Sequence, residues 1–299
     1  MNKPAVTPEV TPLQKLWAAI MELLPHHLLS SLMYRVARIE IPFVKNTIIS
    51  QVVKHFDIDM SEAVVKDPLA YRSFNDFFTR RLESDARPVA SDDSDIVSPV
   101  DGEVSQSGSI DEGKLIQAKG RYYSLHALLG GHDAMTQTFE NGSFSTIYLS
   151  PRDYHRIHMP VDGHLLRMIH VPGRLFSVNQ ATTSAVHDLF ARNERLICQF
   201  ETDNGPMIMI LVGAIFVGSM ETVWSGLVTP LSRRISNWEY DRQKAEQVFL
   251  RKGEEMGRFN MGSTVILLFP GNRVAWDDEH VAGQHVRMGQ RIGGKLVSA

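Results

Sequence analysis

Met261-Gly262-Ser263-Thr264-Val265-Ile266-Leu267-Leu268-Phe269 sets a Gly-Ser bond at the mouth of an apolar run. The run reads as a buried strand. Glycine lacks Cβ, so its carbonyl is open to close approach and its backbone can hold strained angles. The Ser263 hydroxyl can attack the Gly262 carbonyl and turn the amide into an ester. β-Elimination would release the upstream chain as a carboxylate and leave dehydroalanine, and hydrolysis of its imine tautomer by water, with loss of ammonia, would convert that residue to a pyruvoyl group. The same tetrad also suits an ordinary turn before a buried strand. Residues upstream decide between the two readings.

Working outward, short strand-like runs separated by Gly, Pro, Asn and Asp turns are predicted at 102–107, 144–149, 164–171, 196–202, 206–217 and 264–269. Leu125–Leu129 and Val186–Asn193 read as helical insertions, and 237–252 as a smaller helical stretch. Residues from about 12 to 83 read as helical: Asp59 with Glu62 forms a capping box, and Phe74, Phe77 and Phe78 form an apolar face. Residues 85–95 read as an exposed linker, and the tail beyond Asn272 carries no legible chemistry. The expectation is an α+β fold, with a helical N-terminal region at 1–83 and a β-rich core at 84–299.

Ser150-Pro151-Arg152-Asp153-Tyr154-His155-Arg156-Ile157-His158-Met159-Pro160 follows one of these strands. Its prolines argue against a long helix, so His155 and His158 belong on a loop or short turn at a strand end. Histidine is the natural base for a serine proton near neutral pH. A metal site ranks lower, because no cysteine or further ligand cluster accompanies the pair; two plain surface histidines are the bland alternative. Asp101, in Ser98-Pro99-Val100-Asp101-Gly102, is first of all a turn residue. It could also orient an imidazole, as in any Asp-His-Ser arrangement.

These segments, with Gln117-Ala118-Lys119-Gly120, Val171-Pro172-Gly173-Arg174-Leu175-Phe176-Ser177-Val178-Asn179, Phe190-Ala191-Arg192-Asn193-Glu194-Arg195, Val212-Gly213-Ala214 and Met256-Gly257-Arg258-Phe259-Asn260-Met261-Gly262-Ser263-Thr264, resemble the bacterial, membrane-associated phosphatidylserine decarboxylases. The resemblance runs from about Asp59 to Phe269 and is weakest at 1–56 and 270–299. Met261 stands where that family usually has leucine, a volume-conserving change. The resemblance implies His158 as the base for Ser263, Asp101 as its orienting acid, and cleavage between Gly262 and Ser263 into a large and a small chain that stay together as a heterodimer. It implies a covalent pyruvoyl cofactor from Ser263 that forms a Schiff base with phosphatidylserine, releases carbon dioxide and leaves phosphatidylethanolamine. His155 is the implied proton donor. Ser177 and Asn179 are candidates for binding the head group, although ordinary capping of a turn explains them equally well. A serine hydrolase built on Asp101, His158 and Ser263 is the alternative, and it lacks the Gly-x-Ser-x-Gly elbow of one large hydrolase class. A non-catalytic membrane-binding domain is a third possibility.

With 299 residues, 43% hydrophobic and 22% charged, the chain can bury a large core. The single cysteine, Cys198, rules out an internal disulfide and reads as a buried thiol. There is no secretory signal, no bilayer-spanning run, and no basic patch of the kind that binds nucleic acid. Leu13, Leu16, Trp17, Ile20, Met21 and Leu24 recur at helical spacing, continued by Leu28, Leu29, Leu32 and Met33. Through Phe56 six basic residues stand against three acidic ones, giving +3; the whole chain is −3, so the rest carries −6. A basic amphipathic segment on an acidic body fits an anionic membrane surface; the resemblance implies that this is the cytoplasmic face of the bacterial membrane, with the protein peripheral to it. Packing on the core or on a second copy in a homo-oligomer is the alternative.

Overall fold

In the computed structural model, which describes residues 22, 24–118, 120–215, 219–229, 234–241, 247–260 and 264–296, the run after the Gly-Ser bond is a strand buried along its whole length. A strand with no solvent-facing side needs partners at both edges. In chain order the strands are β1 (Gly102–Ser109), β2 (Ser143–Tyr148), β3 (Arg156–His158), β4 (Gly163–Val171), β5 (Arg195–Thr202), β6 (Gly205–Val212), β7 (Met220–Thr222), β8 (Ser236–Glu239), β9 (Phe249–Leu250), β10 (Glu255–Phe259), β11 (Thr264–Phe269) and β12 (His285–Val286). Among the described residues, antiparallel pairing orders the main sheet β8-β4-β5-β6-β11-β2-β1-β12, with β9 also on β4. β11 lies between β6 and β2: Thr264 is in register with both Val212 and Tyr148. A smaller sheet orders Gly226–Leu227, β7, β10 and β3, and a third joins Asp95–Val97, Arg291–Lys295 and Val274–Trp276.

The helices are α1 (His26–Ala37), α2 (Pro42–Phe56), α3 (Phe74–Phe78), α4 (Leu125–Leu128), α5 (Asp133–Phe139), α6 (Gln180–Ala185) and α7 (Leu189–Arg192). The fold is α+β, as expected. Helices α1 to α3 carry their own apolar cluster, formed by Ala37, Ile49, Ile58, Tyr71, Phe74, Phe77 and Phe78, apart from the main core around β11. Ser73 caps α3 by accepting from the Asp76 amide at 3.1 Å. At the end of α1, Arg38 lies 3.7 Å from the Tyr34 ring centre and reaches Ser219 and Glu221. The helical region therefore touches the strand pair that leads into residue 261. Among the described residues no helix is long and apolar enough to cross a membrane.

Three sequence expectations change. The helix expected within 237–252 is replaced by β8 and β9; residues 242–246 lie outside the described set. Both strands cover the outer edge of β4, whose backbone groups would otherwise go unpaired. No helix follows Asp59: its carboxylate closes a local turn onto Ser61 (2.8 and 2.9 Å), and Ala63 bridges to Leu82. The tail beyond Asn272 is structured, adding β12 to the main sheet and two strands to the third.

Candidate active site

Met261, Gly262 and Ser263 lie outside the described residues, but both flanks are fixed. On one side, the Phe259 amide donates to the His155 carbonyl (3.1 Å) and the Asn260 amide to the Ser219 carbonyl (2.9 Å). The buried Asn260 side chain donates to Ser219 and Glu221, both at 2.7 Å, and accepts from Asn75 at 3.1 Å. On the other side, Thr264 begins β11 in register with Tyr148, the last residue of β2. The chain leaves β2 there and enters the loop that carries His155; His158, expected on that loop as well, lies in β3 instead, where it pairs with β10. Strand pairing thus brings His155 beside Phe259, at the near flank of 261–263.

That loop is closed by Asp153. Its carboxylate accepts from the Ser150 amide (2.6 Å) and hydroxyl (2.7 Å). Its carbonyl lies 2.8 Å from Nδ1 of His155, so Nδ1 carries the proton and Nε2 the lone pair. His155 is fully buried against the Phe78 ring, 4.0 Å between centroids, and Nε2 has no partner among the described residues. Burial, reinforced by the charge of Arg80, holds this imidazole neutral, with its pKa pulled down to about 3.

His158 stands in β3, opposite Glu255 in β10. Its Nδ1 lies 2.8 Å from the Gly253 carbonyl and its Nε2 lies 3.2 Å from the Tyr154 hydroxyl. Nδ1 is again the donor, and Nε2 accepts from a phenol that burial keeps protonated, with its pKa raised to about 12. Burial also lowers the His158 pKa below the usual range, leaving a neutral imidazole with a basic Nε2. Gly253 sits at φ +81°, and a Cβ there would come within 2.8 Å of Val89. A glycine is thus needed to present this carbonyl.

Asp101 does not hydrogen-bond His158. Its carboxylate takes two N–H groups of Arg87 (2.5 to 3.1 Å) and the Met288 amide (2.8 Å). Arg87 in turn holds Glu62 at 2.8 Å, which also receives Arg287 at 2.7 Å. The carbonyl of Gly253 fills the orienting place expected of Asp101. Asp101 still acts on His158 through space, favouring its charged form. Asp101 and Tyr154 line one open cavity of about 280 Å³. Gly102 packs so closely on β2 that a Cβ would lie 2.4 Å from the Tyr148 carbonyl oxygen, which anchors Asp101 near the mouth of β11.

The two head-group candidates divide. Asn179 is the N-cap of α6, its side-chain oxygen accepting from the Thr182 amide and hydroxyl at 3.0 Å each. Ser177 is half-buried and follows Phe176. Asn193 clamps Phe176 by both its amide and its carbonyl (3.0 and 2.9 Å) and also donates to the Gly213 carbonyl (2.8 Å). Gly213 directly follows Val212, the partner of Thr264. Ser177 thereby lies two links from the strand end at Thr264. Sequence reading missed Arg87, Gly253 and the clamping role of Asn193. Tyr154 had a local signal, since it stands four residues before His158 within the quoted motif.

A family model described as phosphatidylserine decarboxylase matches residues 74–294, and one described as PSD matches residues 16–57, within the stretch where the motifs were least clear. The chain is 54% identical over 271 residues to the phosphatidylserine decarboxylase proenzyme of Azotobacter vinelandii, covering 91% of this chain and 95% of that one. It is 53% identical over 278 residues to the proenzyme of the same name from Bordetella avium, covering 93% and 94%. Against that of Pseudomonas fluorescens the figures are 52% over 271 residues, covering 91% and 94%.

Proposed function

The chain belongs to the phosphatidylserine decarboxylase family, and from that membership we propose that it is made as a proenzyme, cuts itself between Gly262 and Ser263, and decarboxylates phosphatidylserine to phosphatidylethanolamine in phospholipid biosynthesis. One observation carries this reading: both flanks of 261–263 are pinned by backbone hydrogen bonds, one of them to the buried, neutral His155, with the buried His158 in the strand that follows it. In maturation Nε2 of His158 takes the proton of the Ser263 hydroxyl, and the Gly253 carbonyl holds the ring in the required tautomer. The Tyr154 hydroxyl occupies that lone pair, so the serine either displaces it or passes its proton through it. Asp101 contributes charge at the imidazole without touching it.

A pyruvoyl group at residue 263 would supply the electron sink for loss of the substrate carboxylate. The residues fit such a group: His155 Nε2 and Thr264 Oγ1, on either side of the segment, are buried polar atoms without partners among the described residues. His155 would hold and deliver a proton at Nε2, and Ser177 would face the substrate head group. The intact mass of the purified protein under denaturing conditions tests the reading. Two chains are expected, one ending at Gly262 and one spanning 263–299 with a blocked first residue. A single full-length chain that reacts with a fluorophosphonate would instead indicate a serine hydrolase.

The division into a helical region at 1–83 and a catalytic core at 84–299 is part of the proposal, supported by the two separate apolar clusters. So is peripheral attachment to the anionic cytoplasmic leaflet. In α1, His26 and Ser30 are buried with Ala37, whereas Leu28 and Leu32 are 69% and 59% exposed. Phe43, at the start of α2, is 83% exposed. Large apolar side chains left in water beside exposed basic ones suit insertion among lipids. Replacing Leu28, Leu32 and Phe43 together by Glu should lower vesicle binding at least about tenfold, since each buried apolar side chain contributes about 1.5–3 kcal/mol. Cleavage should be unchanged. Retained binding with loss of a dimer would assign the patch to a second copy of the chain.

A further inference from the structure

Arg80, just past α3, is 4% exposed. Its Nη2 donates to the Arg152 carbonyl at 2.9 Å, and its guanidinium lies 5.6 Å from the centre of the Phe77 ring. Nε and Nη1 are buried with no hydrogen-bond partner among the described residues. Burying cationic donors unpaired is costly, so native structures seldom do it without a ligand or water. Arg80 also lines an open cavity of about 200 Å³, together with Arg81, Arg156, Tyr71, Thr79 and Val64 among others. The cavity shares only Arg80 with the larger one at Asp101. Arg156 already has an acid, Glu255 at 2.7 Å, and donates to the Thr79 carbonyl at 3.0 Å. Arg81 forms no ion pair among the described residues. One carboxylate, Asp76, also lines the cavity, and it accepts from the Arg72 amide at 3.2 Å. The excess is cationic, and the rim is apolar: Val64 and Val65 are 51% and 39% exposed.

We propose that this cavity is a phosphate-ester site, in which the Arg80 guanidinium meets the oxyanion through a single free N–H and its charge, and Arg81 adds charge at the mouth. Arginine is a favoured partner of phosphate oxygens. An apolar rim around a cationic pocket suits a phospholipid head group whose chains lie against Val64 and Val65; free phosphate presents the same oxyanion without the chains. Because Arg80 also holds the Arg152 carbonyl, one residue before Asp153, an occupied site would stiffen the loop that carries His155.

Inorganic phosphate titrated into the full chain, against chloride at matched ionic strength, should raise the thermal midpoint saturably. Arg80→Met should abolish the response. Val64→Glu, which places a carboxylate on the exposed rim without touching the core, should weaken phosphate at least tenfold without lowering the phosphate-free midpoint. Short-chain phosphatidylglycerol in the same titration separates the sources: tighter binding than phosphate assigns a lipid, and equal or weaker binding assigns the free anion. A phosphate response no larger than that of chloride, or one untouched by both variants, overturns the site. Cleavage at residue 263 plays no part in this readout, so the two proposals fail separately.

Discussion

His158→Gln is expected to leave the chain uncut, with cleavage slowed by about 10²- to 10⁴-fold, the usual contribution of a positioned general base. Glutamine can keep a hydrogen bond to the Gly253 carbonyl but offers no basic nitrogen to a serine. The loss should therefore be chemical, with the thermal midpoint nearly retained. A time course of the intact mass reads it directly, and wild-type rates in this variant would remove His158 from maturation. The pH dependence follows from the direction of its shift. Burial lowers the pKa of His158 below its ordinary value, so the imidazole is already neutral at pH 7. Cleavage should be insensitive to pH above 6.5 and fall only further into acid, as the lowered pKa is crossed. A rate that rises on acidification would exclude the base role. Gly253→Ala should act on the same step without removing the base, because the left-handed backbone that presents the carbonyl is strained by a Cβ.

Asp101→Asn should be the most destabilising single change near the site. The Arg87 and Asp101 side chains are only 8% and 10% exposed, and their closest N···O distance is 2.5 Å. Removing one charge leaves the other buried with less than its partner, a change that costs about 3–5 kcal/mol in comparable pairs. For a chain of this size the midpoint would fall by about 5–8 °C. Arg87→Met should cost a similar amount, and the double variant less than the sum by about 1–3 kcal/mol, as coupled neighbours do. If Asp101 instead served mainly to orient His158, Asp101→Asn would stop cleavage at an unchanged midpoint and Arg87→Met would be mild. Thermal unfolding and cleavage kinetics on the same three proteins separate these cases.

Strands were legible where the local pattern and the final environment agree. Thr264–Phe269 is apolar throughout and occupies the middle of the sheet, so its bounds coincide with expectation. β8 and β9 were not legible, because Ser-Asn-Trp-Glu and Phe-Leu become strands only through the exposed edge of β4. Among site residues, the histidines announce themselves by chemistry and by the prolines around them. The partners that set their tautomers are backbone carbonyls, and every residue has one, so composition is silent about Asp153 and Gly253. Arg87 lies in a stretch that reads as exposed linker, and its pairing with Asp101 depends on how that linker folds back across 14 positions. The tail carried no legible chemistry because its contribution to Asp101 is also made by backbone, the Met288 amide.

The position of β11 between β6 and β2 has a consequence for the life history of the molecule. A cut before Thr264 would sever the covalent link but no rung of the ladder, so the short product would remain the spine of the sheet with neighbours on both sides. Once separated by denaturant, two polypeptides would have to find each other again, and the middle strand would have to enter an already closed arrangement from outside. The mature form should thus be a relic of a chain that no longer exists: stable in place, yet unable to regenerate itself, with its lifetime set by how slowly it comes apart.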